Sequence, residues 1–214
     1  MKLLVVNPNT DDATTDRIRE AARAAARPGT EIEAVTAPFG AYRIKTPALS
    51  ARAGEAVVAA IAVRAGTADG AVVAAFSDPG LARARERFRF PVVGIAEASM
   101  LEAAARADRF SIVTLVAAME SHYRNLAGAY GVAAKLASIR FVPGAAQAAT
   151  ADALADAIAL ECRRAAAEDG AAAVVIGGGP LSGMAERIAA GVPIPLVEGV
   201  PAAVRRAERL AAGA

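Results

Sequence analysis

Short apolar segments alternate along this chain with longer, alanine-rich segments in which charged residues recur every three or four positions. Continuous apolar runs of four to six residues are typical of parallel strands covered on both faces, and the longer segments are typical of the covering helices. The pattern predicts strands at 2–6, 31–36, 71–75, 91–95, 110–115, 137–142, 172–176 and 194–198. It predicts helices at about 10–27, 48–65, 81–87, 98–107, 117–130, 151–167, from about 183, and at 201–212. This alternation indicates an α/β fold.

The order of these elements repeats once. The pair Val72-Val73 recurs as Val174-Val175, and the strand at 91–95 recurs at 194–198. An internal repeat of this length predicts two pseudo-symmetric four-stranded parallel-sheet halves with a site between them. We assign residues 1–97 and 200–214 to the first half and residues 98–199 to the second, so that the final helix packs back on the first half.

Composition narrows the classes of function. The net charge is +2, arginines are scattered along helices and aromatic residues make up 4%, so a nucleic-acid surface is not expected. No apolar run approaches the roughly 18 residues that a membrane span needs, and the first run is too short for a signal peptide, so we expect a cytoplasmic protein without a membrane partner. One cysteine and one histidine give neither a disulfide framework nor a metal site.

Polar and glycine-rich turns follow several of the predicted strands. Ligands of open α/β sheets bind beyond the carboxyl ends of the strands, and helix N-termini there favour anions. We therefore expect an anionic or ureide small-molecule substrate at these turns. The candidate substrate-binding residues are Asn7, Asn9, Thr10, Tyr42, Arg43, Phe76, Thr114, Tyr123, Gly177, Gly178 and Gly179, and the candidate catalytic residues are Ser77, Asp78, Ser182 and Glu198.

Simpler roles compete with these assignments. The Asn residues could be ordinary turn residues, the glycines could serve only their dihedral angles, and Asp78 could cap the helix that follows it. Cys162 shares an apolar stripe with Leu154 and Ile158, which favours a core side chain, and His122 is expected at the surface.

Four motifs resemble the aspartate/glutamate/hydantoin racemase superfamily, most closely its hydantoin and allantoin racemase branch. They are Val-Asn-Pro-Asn-Thr at 6–10, Phe-Ser-Asp-Pro-Gly-Leu at 76–81, Val-Gly-Ile-Ala-Glu-Ala at 93–98 and Ile-Val-Thr at 112–114. The resemblance implies two α/β halves with the active site between them, no cofactor, and proton transfer by one cysteine from each half.

The chain departs from that pattern at both cysteines. Ala75 and Gly178 stand at the positions where the resemblance implies thiols, and Cys162 lies elsewhere. Three hypotheses remain open: an isomerase with other bases, such as Asp78 opposite a water molecule or Glu198; a hydrolase, lyase or decarboxylase that uses Ser77, Asp78 or Ser182; and a binding protein without catalysis. The expected substrate is a small carboxylate or cyclic ureide, and a homo-oligomer is expected.

Overall fold

The structure is a computed structural model that describes residues 1–143 and 150–213. The strands in these ranges are β1 (Lys2–Asn7), β2 (Glu31–Thr36), β3 (Gly70–Val73), β4 (Val92–Gly94), β5 (Phe110–Thr114), β6 (Leu136–Phe141), β7 (Ala173–Gly177) and β8 (Leu196–Glu198). The α-helices are α1 (Asp12–Ala25), α2 (Pro47–Arg64), α3 (Leu81–Arg87), α4 (Ile95–Arg106), α5 (Glu120–Ala129), α6 (Ala151–Asp169), α7 (Met184–Ile188) and α8 (Gly199–Ala212). Each predicted strand and helix is present, with ends shifted by a few residues.

The strands form two separate four-stranded sheets in which every neighbouring pair is parallel. Their orders are β2-β1-β3-β4 and β6-β5-β7-β8, so the second sheet repeats the topology of the first. In the first sheet Val5 pairs with Ala34 on one side and Val72 on the other; in the second sheet Ile112 pairs with Ile139 and Val175. The prediction of an α/β fold with two parallel sheets is confirmed.

Two helices cross between the sheets. α4 follows the first sheet but packs on β7, whereas α8 follows the second sheet and packs on β3. The two helices also pack on each other, and their N-termini meet at Gly199, where an added methyl group would lie 2.9 Å from Ile95 Cβ. This exchange joins the sheets through one shared core.

That core contains side chains from both sheets, among them Leu3 and Val72 from the first and Ile112 and Val175 from the second. Because the core is continuous across the join, the division at residues 97 and 199 stays a prediction. A second cluster lies under α6, where Cys162 is fully buried beside Ile158, as its apolar stripe predicts. Among the described helices, none has the length and apolar character needed to cross a bilayer.

The close approach at Gly199 yields a stability prediction. Gly199→Ala should destabilise the fold by about 1–3 kcal/mol, because its methyl group would overlap Ile95 in a packed core. Gly128→Ala is the matched control, since Gly128 lies in α5 with nothing within 4 Å of an added methyl group, and it should be neutral or stabilising by up to about 1 kcal/mol. Urea denaturation measures both, and equal effects of the two variants would contradict this description of the α4–α8 contact.

Candidate functional site

The site is built from two loops that leave the central strands of the two sheets. The first loop, residues 74–80, follows β3, and the second loop, residues 178–183, follows β7. An added methyl group on Gly177 would lie 2.7 Å from the Phe76 ring, and one on Gly179 would lie 2.9 Å from the Ala74 carbonyl oxygen. The carboxyl ends of β3 and β7 therefore touch across the two halves.

One position in each strand end stays accessible. Ala75 is partly exposed between the buried residues Ala74 and Phe76, and Gly178 is partly exposed between the buried glycines 177 and 179. These are the two positions at which the motifs above imply cysteines. A small molecule that reaches both strand ends at once must therefore approach at Ala75 and Gly178.

The glycines of the second loop have two roles. Gly177 and Gly179 lack side chains because the first loop leaves no space for them, whereas Gly178 has φ +137°, a backbone conformation that side-chain-bearing residues rarely adopt. The alternative reading, that these glycines serve only their dihedral angles, holds for Gly178 alone.

Asp78 is a helix cap, but not of the helix that follows it. Its Oδ1 accepts from the Ala96 N–H at 3.0 Å and its Oδ2 from the Glu97 N–H at 2.8 Å, so it caps α4, whereas α3 begins after Gly80. The Tyr130 hydroxyl also donates to Oδ2, at 2.7 Å. This cap explains why α4 begins at Ile95 rather than at the predicted residue 98.

Burial sets the ionisation of Asp78. Removal from water raises its pKa to about 6, although the hydrogen bonds from Tyr130, Glu97 and Ala96 act in the opposite direction. Asp78 is also the one non-glycine residue with positive φ among the described residues, at 42°. Its two oxygens accept three hydrogen bonds, so the carboxylate is held in place by α4 and Tyr130.

Ser77 is held from two sides. The Ser50 hydroxyl of α2 donates to the Ser77 hydroxyl oxygen at 2.9 Å, and His122 Nε2 of α5 lies 3.0 Å from the Ser77 carbonyl oxygen. Since a carbonyl only accepts, Nε2 carries the proton. His122 is partly exposed, and its side chain also contacts the first loop.

The two asparagines after β1 differ in their availability. Asn7 is fully buried, and its amide nitrogen lies 2.9–3.1 Å from three acceptors: Asn9 Oδ1, the Asp11 carbonyl and Thr15 Oγ1. The Asn7 amide nitrogen therefore holds the turn together through its own hydrogen bonds, which argues against the expected contact between Asn7 and a ligand. Asn9 Oδ1 accepts from Asn7 and from the Asp11 N–H at 2.9 Å, but its NH₂ group donates no hydrogen bond within the described part of the chain. Asn9 is the better candidate of the two.

Tyr42 and Arg43 lie on the loop between β2 and α2, which is tied to the asparagine turn by a 3.2 Å bond from the Thr10 N–H to the Ala41 carbonyl. Arg43 stacks on the Tyr42 ring at 4.5 Å and donates to Asp11. Burial opposes ionisation of Asp11, but Thr14 and Arg43 outweigh it and lower its pKa to about 2. Arg43 is thus already paired, whereas Tyr42 is 59% exposed.

Thr114 and Tyr123 form the inner wall of the site. Thr114 Oγ1 donates to the Gly177 carbonyl at 2.8 Å, and Tyr123 is buried beside Phe76. Burial raises the pKa of Tyr123 to about 12, and its ring packs edge-to-face on Phe76 at 5.3 Å. Both side chains support the strand ends, and neither has a free polar group that the structure directs at a ligand.

The side chains of Ser182 and Glu198 form hydrogen bonds within the second half. Ser182 Oγ donates to the Gly179 carbonyl at 2.9 Å, while Glu198 accepts from the Ala185 N–H at 2.6 Å and the Gly183 N–H at 3.2 Å and so caps α7. Burial raises the pKa of Glu198. Glu198 lines a separate cavity of about 370 Å³ bounded by α1, α4 and α8. In the described residues neither side chain bonds to the first loop.

Several donors at the site are unused. Within residues 1–143 and 150–213, no hydrogen bond is donated by the backbone N–H groups of Phe76, Ser77 and Gly179. The Asn9 NH₂ group donates none either. Unpaired backbone N–H groups on tight loops are the usual means of binding an anion or a carbonyl oxygen. No group of three His, Cys, Asp or Glu side chains in these residues has the geometry of a metal site.

Comparison with known proteins agrees with this geometry. The model of the Asp/Glu/hydantoin racemase family matches residues 3–207. The chain belongs to this family. It is 34% identical over 215 residues to the hydantoin racemase of Pseudomonas sp. (strain NS671), with 98% of this chain and 86% of that protein covered. Racemase relatives over nearly the whole chain support the expectation of an isomerase.

Solved racemase structures have the same fold. The allantoin racemase from Klebsiella pneumoniae superposes with a TM-score of 0.93 at 39% identity and covers 99% of this chain and 88% of its own. The allantoin racemase from Pseudomonas fluorescens also gives 0.93, at 31% identity, with coverage of 98% and 90%. Arylmalonate decarboxylase, at 17% identity and a TM-score of 0.64, shares the fold alone.

The buried Asp78 carboxylate, which caps α4, leads to a prediction about how stability depends on pH. Because burial raises the folded-state pKa of Asp78 from 3.8 to about 6, ionising it opposes folding: its contribution is most favourable below pH 4 and is lost as pH rises through 6. The stability of the wild type relative to Asp78→Asn should therefore fall by about 2 kcal/mol between pH 4 and pH 7, most of the full effect of the pKa shift at about 1.4 kcal/mol per pKa unit. Urea denaturation at each pH measures the difference. Asp16→Asn, at an exposed ion pair of α1, is the control, and a flat or rising difference for Asp78→Asn would refute the raised pKa.

Proposed function

We propose that this protein is an isomerase of the Asp/Glu/hydantoin racemase family that acts on a small carboxylate or cyclic ureide held between the first and second loops. One observation carries the proposal: the two loops touch across the halves, and directly after the central strands each has a partly exposed residue flanked by buried ones, Ala75 and Gly178. The hydantoin and allantoin racemases to which the chain is similar support a cyclic ureide as the substrate class.

The ligand chemistry follows from the unused donors. Three backbone N–H groups and the Asn9 NH₂ suit a carboxylate or the carbonyl oxygens of a ureide, and Tyr42 is an exposed aromatic side chain of the neighbouring loop. Arg43 contributes less to anion binding than its charge suggests, because it is paired with the Asp11 carboxylate.

Proton transfer is the step for which this chain departs from the pattern that its motifs imply. Racemisation removes a proton from one face of a carbon and returns it to the other, so it needs an acid or base on each side. Ala75 and Gly178 supply none. Asp78 has a pKa suited to a base near neutral pH, but it holds α4, and Glu198 holds α7. We therefore expect this site to bind a ureide while exchanging its proton slowly.

The test is solvent deuterium exchange. Loss of the C5–H signal from each enantiomer of 5-methylhydantoin in D₂O, followed by ¹H NMR, should be slow for the wild type. Ala75→Cys should accelerate exchange by about 10²-fold or more, since it places a thiol at an accessible position with an ordinary backbone conformation. Cys162→Ala is the control and should not change the rate, because Cys162 is buried under α6.

The second loop should respond differently. Gly178→Cys would force a side chain into φ +137°, which costs about 1–3 kcal/mol, so this variant should lose stability and gain less exchange than Ala75→Cys. Rapid exchange by the wild type from both enantiomers would show that other side chains supply both bases. Absence of binding by isothermal titration calorimetry, with no gain in Ala75→Cys, would refute the proposed substrate class.

A second candidate is a binding protein without catalysis. It is favoured by the role of Asp78 and Glu198 as helix caps, because hydrogen bonds to the helix N–H groups hold both carboxylates in place. Binding of 5-methylhydantoin with no exchange above the buffer rate would select it. The expected cytoplasmic location and homo-oligomeric state belong to the same proposal, and light scattering measures the latter.

A further inference from the structure

The first loop is held by a helix of the other half. α5 leaves the second sheet, yet His122 near its start binds the Ser77 carbonyl at 3.0 Å, and Tyr130 directly after its end donates to Asp78 at 2.7 Å. Between these contacts, Tyr123 packs its ring on Phe76. Three consecutive residues of the first loop are therefore fixed by one helix from across the cleft.

The Tyr130 hydrogen bond affects α4 as well as the first loop. Asp78 transmits it to α4, because the same carboxylate accepts the Ala96 and Glu97 N–H groups. Gly94 leaves the space for this carboxylate, since an added methyl group there would overlap Asp78. Loss of the Tyr130 hydroxyl would leave the buried Asp78 Oδ2 with a single donor.

The second loop has no comparable support from the first half among the described hydrogen bonds. It is closed by its own contacts, from the Leu181 N–H to the Gly178 carbonyl at 3.0 Å and from Ser182 Oγ to the Gly179 carbonyl at 2.9 Å. Glu198 adds bonds from within the second half. Side-chain hydrogen bonds from the other half therefore reach the first loop but, among the described residues, not the second, which contacts the first half by packing alone.

We propose that His122 and Tyr130 are positioning residues, which clamp the first loop so that the unpaired N–H groups of Phe76 and Ser77 are held ready for the ligand's anionic or carbonyl oxygen. This inference rests on the proposed function, in that the ligand is taken to bind at the two loops. His122 positions the first loop through its bond to the Ser77 carbonyl, and Tyr130 positions the loop through its bond to the Asp78 carboxylate.

The clamp predicts a local effect on exchange of backbone amides. Tyr130→Phe and His122→Ala should accelerate hydrogen–deuterium exchange at the Asp78 amide, which donates to the Ala75 carbonyl at 2.9 Å, by about tenfold or more. Tyr130→Phe should do the same at Ala96 and Glu97. Arg124→Ala is the control, because Arg124 lies on the exposed side of α5 and pairs only with Glu120 in the described residues. NMR-detected exchange measures each amide separately.

Ligand affinity provides the second measurement. The dissociation constant for allantoin or 5-methylhydantoin, from calorimetry, should rise about tenfold in Tyr130→Phe and in His122→Ala, the equivalent of one lost hydrogen bond. His122→Gln retains an N–H donor that reaches the Ser77 carbonyl, so it should restore most of the affinity. A purely structural role would lower thermal stability without this rescue.

The outcomes separate the two proposals. If the wild type binds neither ureide, the proposed substrate class fails, while the exchange data still decide whether α5 clamps the loop. If the wild type binds and the variants keep its affinity and its amide protection, the clamp is refuted and the proposed function stands. Faster exchange confined to α5 itself, with the first loop unchanged, would also overturn the clamp.

Discussion

The bond between the buried Asp78 carboxylate and the N-terminus of α4 connects the parts of this protein that must meet at the site. The carboxylate belongs to the loop after β3, the amides belong to the helix that crosses to the second sheet, and the Tyr130 hydroxyl comes from the far side of the cleft. Burial makes the charged carboxylate expensive, and three donors compensate it. The loop is therefore fixed in a conformation with φ of 42° at Asp78 that it would not adopt alone.

Close contact between the two halves of the protein is the second constraint on its structure. Gly177, Gly179 and Gly199 each lie where a methyl group would overlap a neighbour from the opposite half. Because α4 and α8 exchange sheets, the two halves share one core and approach closely enough to need these glycines. The same approach leaves Ala75 and Gly178 as the accessible positions of the strand ends. The packing that joins the halves thus also defines where a ligand can enter.

The candidate site shows how far local sequence reasoning reaches. Polar residues after parallel strands indicate candidate turns, but not what each side chain does there. Asn7 and Asp78 are both polar residues of tight turns, and both are committed to protein partners. Their partners lie on other segments, eight residues away for Thr15 and 52 for Tyr130. Nothing near His122 in the sequence indicates its contact with the Ser77 carbonyl.

The sequence by itself determined the α/β alternation, the repeat of four strands and the family, because apolar periodicity and short motifs are local properties of the chain. It also determined that Ala75 and Gly178 carry no thiol. Only the tertiary structure decided which helix Asp78 caps, that α5 reaches across to the first loop, and that Gly178 has a backbone unsuited to a side chain. These facts depend on contacts between elements distant along the chain, whose geometry is set when α4 and α8 bring the two sheets together.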